Sequence, residues 1–354
     1  MQPILETSNL TKKFTAGDLP VVLDVSIRIE RGEVFVLLGP SGCGKTTMLR
    51  MIAGFERADR GEIRLDGNLL EGSGVHVRPE KRDIGFVFQD YALFPHLTVL
   101  ENVIYGLKGM NRSQRRDRGM ELLEGVGLTK CRDRKPQDLS GGEQQRIALA
   151  RSMAPAPKLI LMDEPFSNLD AALRSTTRAE VRDLLSRHGM SAILVTHDQE
   201  EALSFADRIA VMTEGHIEQV GRPEQVYRRP QTPFVAQFLG RTNLLEVDAK
   251  GDIAHTPLGP IRLNRSMHGH GSVSIRPEHL QLDAPQPGFP RGRVLDRVYK
   301  GHDLSFTVRV NDLIYEVHTD YRCTFQSGDD VRIVPMENAV VLEGTIQHPT
   351  EAAI

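Results

Sequence analysis

With 354 residues, of which 40% are apolar and 26% charged, the chain is long enough for two soluble domains with ordinary hydrophobic cores. Its formal net charge of −3 provides no global basic field, so we expect no nucleic-acid partner. No run approaches the roughly 20 apolar residues of a membrane helix, and the N-terminus lacks the features of a signal peptide, so we expect a cytosolic chain.

The first predicted elements surround a glycine-rich loop. Apolar runs predict strands over Val21–Ile29 and Val34–Leu38, and helical spacing predicts a helix over Thr47–Ala53. The loop between the second strand and the helix fits G-x-x-x-x-G-K-[ST], which cradles nucleotide phosphates in this context. The motif and the residue after it supply the candidate nucleotide-binding residues Gly39, Pro40, Ser41, Gly42, Cys43, Gly44, Lys45, Thr46 and Thr47.

The chemistry of this loop predicts a nucleoside triphosphate and Mg²⁺ as ligands. Glycines let several backbone N–H groups face one anion, and the following helix adds the positive end of its dipole. Lys45 supplies a point charge for the β- and γ-phosphate oxygens, and Thr46 offers a hydroxyl to Mg²⁺.

After strands predicted over Glu62–Leu65 and Ile84–Phe88, residues from about 90 to 155 are predicted to be mostly helical. Helical patterns occupy Val99–Val103, Arg115–Gly125 and Gln144–Ala154. Strand–helix alternation then returns from 156 to about 222. We therefore predict a parallel-sheet core with helices on both faces and a helical insertion.

The last helix of the insertion is preceded by Leu139-Ser-Gly-Gly. Ser140 is a natural N-cap, and Gly141 and Gly142 leave the helix N-terminus open to an anion. One chain has no evident use for a second phosphate-binding helix end on one nucleotide, whereas two chains facing head to tail do. This segment resembles the signature motif of the ATP-binding cassette (ABC) transporter family, which implies ATP hydrolysis by a homodimer in which these residues contact the partner's nucleotide.

An acidic pair follows the strand predicted over Leu159–Met162. In an open α/β sheet, residues at the carboxyl end of such a strand lie beside the nucleotide. We expect Asp163 to hold Mg²⁺ through its water shell and Glu164 to polarise the attacking water.

Other residues receive roles from the resemblance. Gln89 matches the Q-loop glutamine that reaches the metal and the nucleophilic water. Ser167–Asp170 matches the D-loop, which crosses the dimer interface and would bring Asp170 near the partner's nucleotide. His197, after a strand predicted over Ser191–Thr196, matches the switch histidine. Phe14 stands where the family usually has a tyrosine that stacks on adenine; the alternative is a core residue of the first strand.

The segment after the Q-loop is apolar at a place expected at the surface. In the family it forms part of a groove for a coupling helix of the permease, which would expose Tyr91 and Phe94. The alternative is that Leu93, Phe94 and Leu97 pack the core of the helical insertion.

After a short helix over Phe234–Leu239, alternating strands are predicted, separated by turns such as Asn311-Asp312. Their spacing predicts a small β-barrel, and Arg276-Pro-Glu resembles the transport-associated OB (TOBE) domain. We predict domains at 1–240 and 241–354, the second acting in dimerisation or regulation or covering an apolar flank of the first. The predicted strands are Gly271–Ile275, Gly292–Val298, Leu304–Val310, Leu313–Val317 and Val331–Val334.

His268 and His270 in this region are interpreted as part of a flexible polar loop rather than a metal site. The three cysteines lie far apart in sequence and predict neither a metal site nor a disulfide framework.

The resemblance implies an ATPase subunit at the cytoplasmic face of the inner membrane, bound to a separate integral membrane permease and served indirectly by an extracytoplasmic solute-binding protein. The segment 77–99 is most similar to subunits of ferric-iron importers, followed by importers of polyamine, phosphonate and sulfate.

Other classes of ABC protein fit the sequence less well. A DNA-repair ATPase would need a long coiled coil between Gln89 and Leu139, and a translation-type protein usually carries two cassettes, whereas this chain has one. Exporters usually fuse membrane helices to the ATPase or lack an OB-like tail. An inactive interaction protein is disfavoured by the presence of Lys45, Glu164 and His197.

Overall fold

The computed structural model describes residues 2–15, 17 and 19–344. Residue contacts divide the chain into two compact units, Met1–Glu224 and Gln225–Ile354, ahead of the predicted boundary at 240. Hydrogen bonds within the second unit explain why the boundary lies before residue 240. There the Arg276 guanidinium donates to the carbonyls of Ala236 at 2.8 Å and Tyr227 at 3.1 Å, which ties the connecting helices to the strands that follow.

Two β-sheets form the framework of the first unit. One is antiparallel, in the order β2-β1-β4-β5-β6; the other, β11-β10-β3-β9-β8-β7, is parallel except for β11. Every strand predicted here is present, with ends shifted by two residues at most. The strands are β1 (Leu5–Lys12), β2 (Val22–Ile29), β3 (Val34–Leu38), β4 (Arg60–Leu65), β5 (Asn68–Gly72), β6 (Val75–His76), β7 (Ile84–Val87), β8 (Leu159–Asp163), β9 (Ser191–Thr196), β10 (Arg208–Thr213) and β11 (His216–Gly221).

Eight α-helices lie within the described residues. The predicted helical insertion contains three of them, and side-chain caps start each one: Thr98, Asn111 and Ser140 accept from the backbone N–H three residues later. None of the helices in the described part of the chain is both long and apolar enough to cross a membrane. The helices are α1 (Lys45–Ala53), α2 (Val99–Ile104), α3 (Arg112–Gly125), α4 (Gly141–Met153), α5 (Ala171–Arg187), α6 (Gln199–Phe205), α7 (Pro223–Arg228) and α8 (Pro233–Phe238).

The core of the first unit explains its layers. Strands β3 and β9 are buried on both faces, as their continuous apolar sequences require. Phe35 and Leu37 pack with α1 and the antiparallel sheet, while the alternate residues of β3 point to the opposite face, where α6 lies. The expectation of helices on both faces was therefore incomplete, because an antiparallel sheet shares one face with α1.

The second unit is a small β-barrel built from a three-stranded and a five-stranded sheet around one apolar core. Each strand predicted here is present, but the long β12–β13 hairpin was mostly missed. His268 and His270 lie within β13 rather than in the loop that we predicted, each exposed and paired with a residue of β12. Its strands are β12 (Asn243–Thr256), β13 (Gly259–Ile275), β14 (Leu280–Asp283), β15 (Gly292–Tyr299), β16 (Asp303–Val310), β17 (Leu313–Asp320), β18 (Asp330–Pro335) and β19 (Val340–Val341).

Candidate functional site

The glycine-rich loop runs from the end of β3 to the start of α1 and borders a cavity of about 340 Å³. Gly44, at the helix N-cap, has φ of 103°, and a Cβ there would lie 2.2 Å from the carbonyl oxygen of Val21. A Cβ on Gly39 would lie 2.1 Å from the carbonyl oxygen of Met212. Both positions therefore need glycine because a Cβ would collide with a backbone carbonyl oxygen, and Gly44 also needs it for its positive φ. The cavity is lined by Val21, Ser41, Gly42, Gly44, Lys45, Thr46, Thr47 and Glu164.

The loop also restrains its own lysine. Lys45 is 5% exposed, and its ammonium donates to the carbonyl oxygens of Gly39 and Pro40, each at 2.8 Å. Of the nine predicted residues, Gly39, Pro40 and Cys43 do not line the cavity. The first two hold Lys45 through their carbonyl groups, whereas the Cys43 thiol packs in the core, where burial raises its pKa. Val21, which does line the cavity, carries no sequence signal because its role depends on a close approach to Gly44.

A hydroxyl and a carboxylate meet beside this cavity. Thr46 Oγ1 donates to Asp163 Oδ1 at 3.0 Å, which brings together two residues separated by more than a hundred positions. Burial raises the pKa of Asp163, and the nearby Glu164 carboxylate acts in the same direction, opposed by the bond from Thr46. Oxygen donors of this kind suit Mg²⁺.

Glu164 joins the phosphate cavity to a second one of about 280 Å³. Its φ is 44°, an uncommon value for a non-glycine residue, and its N–H donates to the carbonyl of Val195 at 3.0 Å. Its Oε1 lies 3.1 Å from Nδ1 of His197. The second cavity is lined by Gln89, Glu164, Phe166, Ser167, Asn168, Arg174, Thr196, His197, Asp198 and Glu201.

Gln89 lies in this second cavity and not with Thr46 in the first. Its amide Nε2 donates to Ser167 Oγ at 3.4 Å, and Asn168 Nδ2 donates to the Gln89 carbonyl at 2.9 Å. Ser167 Oγ in turn donates to the Glu164 carbonyl at 2.9 Å. These bonds connect the segment after β7 with the segment after β8. The three predicted catalytic residues, Gln89, Glu164 and His197, all line this second cavity.

The predicted signature residues line neither cavity. Ser140 is the N-cap of α4, as predicted, in a reciprocal capping box with Glu143. Gly142 is less open than we expected, because a Cβ on it would lie 3.1 Å from Thr177 Oγ1 on α5. Asp170 caps α5 by accepting from the Leu173 N–H at 2.9 Å. In a single chain these residues therefore serve helix starts and helix packing.

Phe14 lies beyond the end of β1 and is 59% exposed, so the alternative of a core residue was wrong. The ammonium of Lys12 lies 5.4 Å from the centre of its ring. Phe14 does not line the phosphate cavity, and its predicted stacking on adenine stays a prediction.

The predicted exposure of Tyr91 was wrong, because only 4% of it is accessible. Tyr91 and Ala92 have positive φ values, and the Arg151 guanidinium donates to both of their carbonyls, which stabilises this turn. Phe94 is half-buried, with its ring centroid 4.4 Å from that of Tyr105, and Tyr105 is 62% exposed. The exposed aromatic surface therefore includes Tyr105, which the sequence did not indicate.

The wall of the second cavity contains a buried carboxyl group, Glu201, which sequence reasoning missed. It is 3% exposed, and burial raises its pKa from 4.5 to about 7. Thr196, its hydrogen-bond donor, acts against this shift, and Asp198 adds to it. The only available signal was an acidic residue one helical turn after His197.

This pKa predicts a pH dependence of stability. Because the folded state binds the proton more tightly, stabilisation from this group is complete below pH 4.5 and is lost as pH rises towards about 7. Relative to wild type, Glu201→Gln should gain about 2 to 3 kcal/mol in the free energy of unfolding of the first unit between about pH 5 and about pH 8. Chemical denaturation of both proteins at both pH values measures this difference in the free energy of unfolding. Glu121→Gln, at a 61% exposed side chain on α3, is the control, and an equal pH trend in both variants would contradict the assignment.

Comparisons with known proteins agree with this geometry. Residues 22–167 match the ABC transporter family and residues 273–342 the TOBE domain. The spermidine/putrescine import ATP-binding protein PotA of Chromobacterium violaceum is 44% identical over 327 residues, which cover 87% of this chain and 89% of that protein. The Fe(3+) ions import ATP-binding protein FbpC 2 of Rhodococcus jostii is 43% identical over 309 residues, covering 87% and 88%.

Solved structures agree as well. A dimeric post-hydrolysis structure of the ATP-binding cassette MJ0796, bound to ADP and Pi, is 33% identical with a TM-score of 0.54, and the match covers 62% of this chain and 98% of that one. On the strength of these relatives and of the phosphate loop, acidic pair and histidine assembled above, the chain belongs to the ABC transporter family and is an ATP-hydrolysing importer subunit with a C-terminal TOBE domain.

Proposed function

We propose that two copies of this chain bind ATP and Mg²⁺ between them, with Glu164 as the base that takes a proton from the attacking water. The observation that carries this proposal is that Glu164 borders both cavities and contacts His197 at 3.1 Å. A base must lie within hydrogen-bond reach of the water it activates, and the second cavity has room for water next to this carboxylate. His197 would contact both Glu164 and the γ-phosphate and so fix their relative positions, and Gln89 would orient the water.

Mg²⁺ would be held by the hydroxyl of Thr46 and, through water, by Asp163. Gln89 would become a further oxygen donor by moving from the second cavity towards the first. The 3.0 Å contact between Thr46 Oγ1 and Asp163 Oδ1 supports this donor set, because hard oxygen ligands are those that Mg²⁺ prefers. When bound, the ion would neutralise charge on the phosphate oxygens. The chain's own part is to place Lys45 and the N-terminus of α1 against the same oxygens.

The site would be completed by a second copy. Ser140, Gly141, Gly142 and Asp170 line neither cavity of their own chain, yet the Ser140-capped helix presents free N–H groups that suit a phosphate. The similar ATP-binding cassette MJ0796 is a dimer in its structure with ADP and Pi, which supports this arrangement. The second unit, 241–354 in the sequence-based division, would act in dimer contact or regulation.

Exposed aromatic side chains would dock the permease. Phe55 and Phe88 are 48% and 39% exposed, and their ring centroids lie 6.0 Å apart; Tyr105 is 62% exposed. Phe55 and Phe88 form one exposed pair, and Tyr105 forms another with Phe94, with 4.4 Å between ring centroids. Exposed aromatic pairs are typical of surfaces that bind a partner protein. Together with the import names of the relatives, this surface supports a peripheral location at the cytoplasmic face of the membrane.

Replacement of Tyr105 by serine is expected to weaken permease binding at least about tenfold, the scale for removing one aromatic anchor. ATPase activity of the chain without the permease should change by less than about twofold, because Tyr105 borders neither cavity. Affinity capture of the permease from membranes measures the first effect. Tyr321→Ser removes an equally exposed tyrosine, at 58%, and should bind the permease like wild type. Equal capture by both variants would reject this docking surface.

For the cargo we propose ferric iron, with spermidine or putrescine as the second candidate. Relatives with iron-import and polyamine-import names are almost equally similar, at 43% and 44% identity, so the names of relatives favour these two candidates. The test is uptake of labelled ferric iron and labelled spermidine by the transporter reassembled from this chain, its permease and the solute-binding protein. ATP-dependent uptake of spermidine alone would overturn the iron proposal in favour of the second candidate.

A further inference from the structure

Hydrogen bonds to Glu201 enclose the loop that carries His197. Thr196, just before the histidine, donates from Oγ1 to Glu201 Oε2 at 2.7 Å. The same Oγ1 accepts from the N–H of Asp198, just after the histidine, at 2.9 Å. Asp198 Oδ1 then accepts from the Glu201 N–H at 2.9 Å. Both neighbours of His197 are therefore bonded to one another and to Glu201.

The Glu201 carboxyl is buried, and an apolar side chain at this position would destabilise the fold less. Glu201 is 3% exposed and Thr196 2%, and Glu201 Oε1 has no hydrogen-bond partner among the described residues. A buried polar group that satisfies only part of its capacity is destabilising. Among the described residues, the carboxyl accepts one side-chain hydrogen bond, and it comes from the Thr196 hydroxyl beside His197, which indicates a role in holding that loop.

A second restraint on the same loop comes from α5. Arg174 Nη1 donates to Asp198 Oδ2 at 3.1 Å, and Nη2 donates to the Leu169 carbonyl, also at 3.1 Å. The charged groups that act on Glu201 are Asp198, Arg174 and Arg178, so charged side chains surround the buried carboxyl behind the loop.

His197 itself has little to hold it. Its side chain is 53% exposed, and its Nδ1 contacts Glu164 Oε1 at 3.1 Å. Its position therefore depends on the backbone on either side, which the Thr196–Asp198–Glu201 bonds restrain. A displacement of about 1 Å at a reacting group can cost about a hundredfold in rate.

We propose that Glu201 is a positioning residue for ATP hydrolysis, which holds, through Thr196, the loop that presents His197 to Glu164. This inference rests on the roles proposed above for Glu164 and His197. Only an acceptor at Oε2 is required of Glu201, so an amide should replace the carboxyl, whereas a methyl group should not.

Steady-state ATPase kinetics of the full chain test this assignment. Glu201→Ala is expected to lower kcat at least about tenfold while KM for ATP stays within about threefold, because the phosphate loop is untouched. Glu201→Gln should restore kcat to within about twofold of wild type. Thr196→Val and Thr196→Ser form a second pair at the other end of the bond, with loss of kcat expected only for valine, and they decide the question if Glu201→Ala does not fold.

A His197→Ala chain measured alongside distinguishes the proposed role of His197 in hydrolysis from the positioning role of Glu201. If His197→Ala is slow but Glu201→Ala and Thr196→Val both keep wild-type kcat, the positioning role is overturned and the role of His197 stands. If Glu201→Gln is as slow as Glu201→Ala, the charge matters and positioning through an acceptor is wrong. Wild-type kcat in His197→Ala would remove the role of His197 and the inference with it.

Discussion

Replacement of Glu164 by glutamine is expected to leave ATP binding intact and to slow hydrolysis at least about a hundredfold, the usual scale for loss of a general base. The amide keeps the size of the carboxylate and can retain a contact with His197, but it cannot accept the proton of the attacking water. Because ATP would then persist, the variant should accumulate as a dimer closed around nucleotide. Phosphate release and size-exclusion chromatography with ATP measure the two effects.

Glu121→Gln, on the exposed face of α3, is the matched control, because it removes a carboxylate 61% exposed to solvent and away from both cavities. It should hydrolyse ATP at the wild-type rate. Glu164→Gln with wild-type hydrolysis would show that another group is the base.

A mixture of Lys45→Ala and Ser140→Arg chains should regain ATPase activity that neither variant has alone. Lys45 lines the phosphate cavity of its own chain, whereas Ser140 lines neither cavity and would act on the partner's nucleotide. In a mixed dimer both substitutions fall in the same composite site, so the other site is intact. Loss of Lys45 removes the charge on the β- and γ-phosphates, and an arginine at the α4 N-cap removes the cap and fills the space for phosphate.

Phosphate release from pre-mixed chains, compared with each parent at the same total concentration, measures this complementation. The control mixture contains Lys45→Ala and the active Glu121→Gln chain. Its ATPase activity should be no higher than that of the Glu121→Gln chain in it. If the first mixture stays as inactive as both parents, an ATP-bound structure with Ser140 far from any phosphate would reject completion in trans, whereas Ser140 on the phosphate would show that both sites must be intact.

Features encoded by neighbouring residues were predictable. The phosphate loop depends on a strand, a glycine pattern and a helix that are contiguous in sequence, and the Ser140 cap depends on its own helix. The buried strands β3, β8 and β9 are short continuous apolar runs, the pattern that parallel strands buried on both faces require.

Features that depend on distant contacts were not predictable in the same way. Tyr91 turns inward because Arg151, far along the chain, donates to the carbonyls of the turn and stabilises it. The β12–β13 hairpin was missed because the middle of β13, residues 264–270, is largely exposed and shows no apolar alternation. Glu201 gains its role only through its bond with Thr196, and an isolated acidic residue on a helix gives no such signal.

Uptake of solute into liposomes is the most direct test that hydrolysis at Glu164 powers import through a separate permease. The liposomes would contain the permease with this chain and ATP inside, and the binding protein with labelled solute outside. Wild-type chain should support ATP-dependent uptake, and Glu164→Gln should reduce it in parallel with its loss of ATPase activity. Equal uptake with Glu164→Gln, or with this chain left out, would contradict a role in powering import.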